Sequence, residues 1–250
     1  LVGSEMCIRD RVYNQGLFGF GITDGATPNA FNWGTDEVFN KLGAGRLSSS
    51  DGGVVTYRWK RCYEIISRAN YLLACMDLVD LSEEAKAKYS GETHFLRGLA
   101  YSVLAETYGG VPIILTNIST EEARSLKRAS LEETWQQALD DYEVAITNLG
   151  VDAPEPGRAT KGAALGMKMR AYLYQGKYKE VLACVEQIDA LKKYGLFHSY
   201  EGLFDPANEN NKEVLFDIQY IEGENSQGSY IDQYCGTGTG SWTRGSRYVP

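Results

Sequence analysis

Residues 91–115 constrain this chain more than any other stretch. Phe95, Leu96, Leu99, Ala100, Val103 and Leu104 recur at the three-to-four spacing of a helix with a buried face. The pattern then breaks at Tyr108-Gly109-Gly110-Val111-Pro112-Ile113-Ile114-Leu115. Two glycines supply the positive-φ freedom that ends a helix, and Pro112 stops it resuming, so the chain must leave as an extended apolar run. No catalytic constellation lies inside this stretch; it is a piece of scaffold.

The flanking sequence predicts more helices. Trp59, Cys62, Tyr63, Ile66, Ala69, Leu73 and Met76 form one stripe of a helix over 57–79, and Ser82 with Glu83 and Glu84 caps the helix that follows. Asn70, near the buried face, is expected to bond backbone. A polar connector over 116–129 leads to the capping box Ser130-Leu131-Glu132-Glu133, which opens a helix with Leu131, Trp135, Ala138, Leu139, Tyr142, Ala145, Ile146 and Leu149 on its stripe. Helices over 160–175 and from Tyr178 to Ile188 meet at a Gly176-Lys177 turn, and Ala163, Ala164, Gly166 and Ala171 leave room for a close neighbour. The Ala171-Tyr172-Leu173-Tyr174-Gln175-Gly176-Lys177-Tyr178 run is similar to the turn of a tetratricopeptide repeat. The fold class expected is therefore mainly α: a tetratricopeptide-like stack of helical hairpins in which each pair buries a face against its neighbours, with irregular loop-rich segments around it. Residues 214–220 read as a strand.

Four ordered landmarks resemble the SusD/RagB family, the surface lipoproteins with which Bacteroidetes take up nutrients. Gly91-Glu92-x-x-Phe95-x-Arg97-x-x-x-Tyr101 running into Tyr108-Gly-Gly-Val-Pro112 is similar to its hallmark. Trp59, Tyr63, Ile66, Ala69 and Asn70 precede it, Arg158 to Lys161 and Leu173 to Tyr178 follow, and Glu213-Val214-Leu215-Phe216-Asp217-Ile218-Gln219-Tyr220 resembles the strand that comes next. The resemblance implies a non-enzymatic protein at the outer-membrane surface. It would bind an oligosaccharide, or less often a peptide, and act as a lid on a SusC-like TonB-dependent transporter. It also implies that the chain corresponds to the amino-terminal half of such a protein, attached to the membrane only through a lipid anchor not in this sequence. The other reading, from the helices alone, is a tetratricopeptide-like scaffold binding a protein or peptide.

Composition narrows the chemistry. With 33 acidic and 25 basic residues the net charge is -8, which argues against a nucleic-acid partner. The five cysteines, Cys7, Cys62, Cys75, Cys184 and Cys235, contain no Cys-x-x-Cys pair and show no zinc-ligand spacing. His94 and His198 are the two histidines, too few for histidine-based metal sites or triads, and His94 beside apolar residues reads as structural. Asp140-Asp141 is not an acid pair for glycoside hydrolysis, because neighbours on a helix diverge by about 100°; both read as a solvated face. Gly236-Thr237-Gly238-Thr239-Gly240 lacks the Gly-Lys-Ser/Thr ending of a phosphate loop. No catalytic residue, metal site or cofactor is expected.

Residues 1–11 resemble translated sequencing-adaptor read-through and are set aside as a non-native leader. No run of about 18 apolar residues occurs. Residues 12–57 are expected to form an irregular segment on the ligand face, with a short helix near Thr35 to Leu42; residues 58–192 form the helical scaffold, and residues 193–250 begin a second irregular, ligand-facing region. Sugars present an apolar ring face to aromatics and hydroxyls to Asn, Asp and Arg. The ligand candidates are accordingly Asn32, Trp33, Asp36 and Arg46 in the first segment and Tyr234 and Trp242 in the second. Trp33 suits binding and loop packing equally, and Asp36 and Arg46 also read as surface charges. In the family these two regions contribute to the ligand face, so the carry-over is of regions and not of individual contacts.

Overall fold

The computed structural model describes residues 31–32, 41–48, 50–52, 54–219 and 248–249. It separates into one compact unit of residues Ile65–Gln219 and another formed by Val2–Glu64 together with Tyr220–Pro250.

The first helix, α1 (Val54–Cys75), begins three residues before the expected start at 57 and ends in a 3-10 turn at Met76–Leu78. Of the stripe, Cys62, Ile66 and Ala69 are buried and Trp59, Tyr63, Leu73 and Met76 half-buried; Ile65, off the stripe, is buried as well. The next helix, α2 (Glu83–Tyr108), starts where Ser82 accepts the Ala85 amide, with Glu83 and Glu84 at the positive end of the helix dipole. The connector expected to be a plain polar loop contains a further helix, α3 (Thr120–Ser125), opened by a second capping box between Ser119 and Glu122. With six residues and no buried side chain it has no apolar period to betray it. Then follow α4 (Leu131–Asn148), capped by Ser130 and Glu133, α5 (Lys161–Tyr174), capped by Thr160, and α6 (Tyr178–Ala190).

In the larger unit α2 packs along α4, α4 along α5 and α5 along α6, with α2 and α4 sharing the most extensive contact. This is the stacked arrangement the periodicity predicts. Its centre is apolar: Phe95, Leu104, Leu139, Tyr142, Ala145, Ala164 and Leu165 are nearly or fully excluded from water. Gly98 lets α2 and α4 meet closely, since a Cβ there would lie 3.0 Å from the Tyr142 ring and 3.1 Å from the Ala138 carbonyl. Leu131, expected on the buried stripe, is 47% exposed. It is the first residue of α4, and the buried arc begins one turn later at Thr134 and Trp135.

Residues 214–219 form no strand ladder with any described residue. The segment is extended but anchored by side chains: Phe216 meets Phe95 edge-on with ring centroids 5.0 Å apart, and Gln219 exchanges hydrogen bonds with Asn210. In the smaller unit, β1 (Phe31–Asn32) pairs antiparallel with β2 (Tyr248–Val249), in the register Phe31 with Val249 and Asn32 with Tyr248. Of the short helix expected near 35–42, residues 41 and 42 are helical together with 43, and the rest lies outside the described residues.

Candidate functional site

The polar residues of the 91–115 stretch are tied into the scaffold. Arg97, 6% exposed, donates through Nε to both oxygens of Asp141 at 3.1 and 3.0 Å and through Nη2 to one of them at 2.7 Å. Its Nη1 donates to Asn70 Oδ1 at 2.8 Å. The Asn70 amide in turn donates to the Ile114 and Thr116 carbonyls at 3.0 and 3.3 Å, which satisfies the extended exit without a sheet partner. His94 Nδ1 lies 2.7 Å from Asp141 Oδ1, so it carries a proton and donates it. Glu92, 3% exposed, accepts from Arg158 Nε and Nη2 at 2.8 and 2.6 Å, a bidentate pair between residues 66 apart in sequence. These groups use their hydrogen-bonding capacity on one another and hold three helices and one extended segment in register. Asn70 thus bonds backbone as expected, and His94 is structural. Asp141 departs from expectation: at 1% exposure it is not on a solvated face, whereas Asp140 beside it is exposed and accepts from Gln136.

Tyr101 completes the latch. Its hydroxyl donates to the Ile114 carbonyl at 2.9 Å and accepts from the Ile114 amide at 2.8 Å. Burial pushes this phenol up to about 12, against the opposing pull of the Ile114 hydrogen bond, and burial likewise pushes the Cys62 thiol up to about 12. Both groups are neutral in the folded chain above the ordinary values of 10.0 and 9.0 at which the unfolded chain loses these protons. Folded stability is therefore full below about pH 9 and falls as the pH rises towards 12, by several kcal/mol at roughly 1.4 kcal/mol per unit. Urea titrations at increasing alkaline pH check this; in Tyr101→Phe the fall above about pH 10 should be shallower.

Of the candidate ligand contacts, Arg46 is described with its side chain. It is exposed, at the end of a turn in which its amide donates to the Lys41 carbonyl at 2.8 Å. That turn is braced by Lys41 Nζ on Asp51 at 2.9 Å and by the Ser48 amide on the same carboxylate at 2.7 Å. The Lys41 and Ser48 hydrogen bonds hold the Asp51 carboxyl down at about 2, so it is ionised at any physiological pH. Asn32 is placed by its backbone, in the β1 register opposite Tyr248. Trp33, Asp36, Tyr234 and Trp242 lie outside the described residues. The β1–β2 pairing joins the backbone of Phe31 and Asn32 to that of Val249 and Tyr248.

The larger unit holds a feature the sequence did not single out, a cavity of about 280 Å³ walled by the loop before α5, by Lys193 and Tyr194 after α6, and by the 210–217 segment. Its residues come from three separate stretches; two of them overlap the family landmarks at Arg158–Lys161 and Glu213–Tyr220, which pointed to the scaffold and not to a pocket. Among the described residues no group of His, Cys, Asp and Glu could hold a metal ion, and no helix is long and apolar enough to cross a membrane.

Sequentially stacked helix pairs closed by buried polar latches define a tetratricopeptide-like helical scaffold. Residues 25–173 match the model of the SusD-like family described as starch-binding and associating with the outer membrane, and the chain belongs to that family. It is 27% identical over 231 residues to the SusD-like protein P25 of Formosa agariphila, covering 88% of this chain and 42% of that protein. A solved SusD-like carbohydrate-binding protein from Bacteroides fragilis is similar with a TM-score of 0.79 and 25% identity, over 92% of this chain and 47% of that one. A laminarin-binding SusD-like protein gives a TM-score of 0.83 at 22% identity, over 93% of this chain and 55% of that one. The chain thus spans about two fifths to one half of the length of these relatives.

Proposed function

We propose that this chain takes part in the non-enzymatic capture of oligosaccharides at the outer-membrane surface, with a lipid-anchored whole protein delivering them to a SusC-like TonB-dependent transporter. The observation that carries the reading is membership of a family described as starch-binding and outer-membrane associated, with one similar structure titled carbohydrate-binding and another laminarin-binding. The antiparallel pairing of Phe31–Asn32 with Tyr248–Val249 supports it to the extent that it brings a strand of the first candidate-bearing region beside one of the second. The latch network is consistent with the non-enzymatic part: Asp141 and Glu92 are buried and paired with Arg97 and Arg158, and the half-buried His94 is spent on Asp141.

Isothermal titration against a panel of glycans that includes laminarin tests this. Binding without glycan cleavage is expected, and Trp33→Ala and Trp242→Ala should each weaken it by about 1–2 kcal/mol, a five- to thirtyfold loss. Unchanged binding in both variants removes the site assignment, and no binding to any glycan removes the function. One observation favours the protein-binding scaffold as a second reading: Tyr178, Leu182 and Val185, at helical spacing on α6, are 67%, 64% and 37% exposed. Loss of a peptide partner, with glycan binding intact, in a Tyr178→Ser, Leu182→Ser variant would support that reading.

A further inference from the structure

The cavity of the larger unit has walls that are fixed before any ligand arrives. Tyr194 is held against α5: its hydroxyl lies 3.2 Å from Thr160 Oγ1, and its ring sits where Gly162 leaves room, since a Cβ there would come within 2.4 Å of the ring. Phe216 is pinned edge-on to the buried Phe95, and Leu215 packs against Gly166. Both aromatic residues line the cavity and both are half-buried. A rigid apolar surface of this kind binds without an ordering cost.

The polar groups around it divide into committed and free. Arg158 is occupied by Glu92, and Lys193 by Asp152 at 2.8 Å and the Val151 carbonyl at 2.9 Å. Asn210 is exchanged with Gln219, and Asn211 is used by the Asn208 carbonyl and the Glu213 amide. Asp217 accepts from Gln219 through Oδ1, and its other oxygen accepts from no described residue. The Lys212 ammonium has no hydrogen bond or ion pair among the described residues, and Glu155 has only a loose contact with Arg158 at 3.8 Å. What remains for a ligand is one cationic donor and two carboxylate acceptors beside aromatic and aliphatic walls.

We infer that this cavity is a second ligand site, which takes one neutral, polyhydroxylated ring the size of a monosaccharide. Lys212 donates to one hydroxyl, Asp217 and Glu155 accept from others, and the apolar face of the ring lies against Tyr194 and Phe216. The balance of free groups excludes an anion as the preferred ligand, because the two committed cations are already neutralised and the free ones are outnumbered by acids. The volume falls just below the roughly 300–1,000 Å³ of pockets for larger small molecules, which limits the occupant to about one ring. The site does not rest on the reading above, as it shares no residue with the six candidates there.

Protein-observed NMR of the whole chain, titrated with methyl glycosides of glucose, galactose and mannose and separately with acetate, tests the inference. At least one glycoside should perturb amides of 153–160, 193–194 and 210–217. Lys212→Ala should weaken this response by about tenfold. Ala153→Trp, which fills the cavity from an irregular loop, should abolish it while leaving the remaining spectrum folded. A Trp33→Ala, Trp242→Ala chain should keep the response in full, which separates failure of this site from failure of the proposed glycan face. No response to any glycoside overturns the inference. So does a response that survives Ala153→Trp, or one stronger for acetate than for the sugars.

Discussion

Asp141→Ala should cost the chain about 3–5 kcal/mol of stability, because it leaves the Arg97 guanidinium buried with its main counter-charge removed. The carboxylate, 1% exposed, accepts three hydrogen bonds from Arg97 and one from His94. Urea denaturation followed by circular dichroism reads the loss, with Asp140→Ala as the matched control. Asp140 is exposed, so its removal should stay within about 0.5 kcal/mol. The double replacement Arg97→Met, Asp141→Leu should recover much of the loss, since a buried pair exchanged for apolar side chains of similar volume is often close to neutral. A cost below about 1 kcal/mol for Asp141→Ala would show that the network does not hold α2 to α4.

Gly110→Ala should be nearly as damaging, by about 3 kcal/mol or more, for a different reason. A Cβ at this position would stand 2.1 Å from the Ala129 carbonyl oxygen and 2.8 Å from the Ser130 carbonyl carbon, both of them backbone. That backbone cannot step aside, because the Ala129 amide donates to the Val111 carbonyl, the Val111 amide donates to the Thr134 hydroxyl oxygen, and Ser130 caps α4. Overpacking against such neighbours exceeds what a side-chain rotation relieves. Gly109→Ala provides the contrast. Its Cβ would meet nothing within 4 Å, so only the strain of a backbone at φ +74°, ψ −138° acts, at about 1–3 kcal/mol. Thermal melts of the two variants separate a steric from a conformational cost.

This pair shows what can be read from sequence and what cannot. Both glycines announced the end of α2, and the chain does turn there. Gly109 alone has the positive φ; Gly110 is required by the approach of a backbone nineteen residues downstream, and no local pattern encodes that distance. The helices were legible because a buried face leaves a period, and their starts because Ser82, Ser130 and Thr160 cap them through side chains adjacent in sequence. Asp141 was misplaced because α4 is buried over more than one stripe: with α2 and α5 both packed on it, the arc from Thr134 to Ala145 includes a carboxylate whose partner is 44 residues away. Residues 214–220 read as a strand, yet residues 214–219 are held by Phe216 and Gln219 and form no ladder with any described residue. Of the candidate site, Arg46 sits exposed on a braced turn, and Trp33, Asp36, Tyr234 and Trp242 lie outside the described residues. The cavity was not legible, because it exists only where three loops meet.

The bidentate Glu92–Arg158 pair has a bearing on how this scaffold assembles. In a plain array of helical hairpins each repeat touches only the next, and the array can fray from either end or lose a unit with little effect on the rest. Here a side chain of α2 reaches the loop that opens α5, so the ends of the α2–α4–α5 run are fastened to each other across 66 residues of chain. Such a closed run melts as one cooperative block, and its long-range pairing must wait until the intervening helix is docked. A deletion of α4 therefore does not shorten the stack by one helix; it leaves Glu92 and Arg158 with no geometry in which to meet.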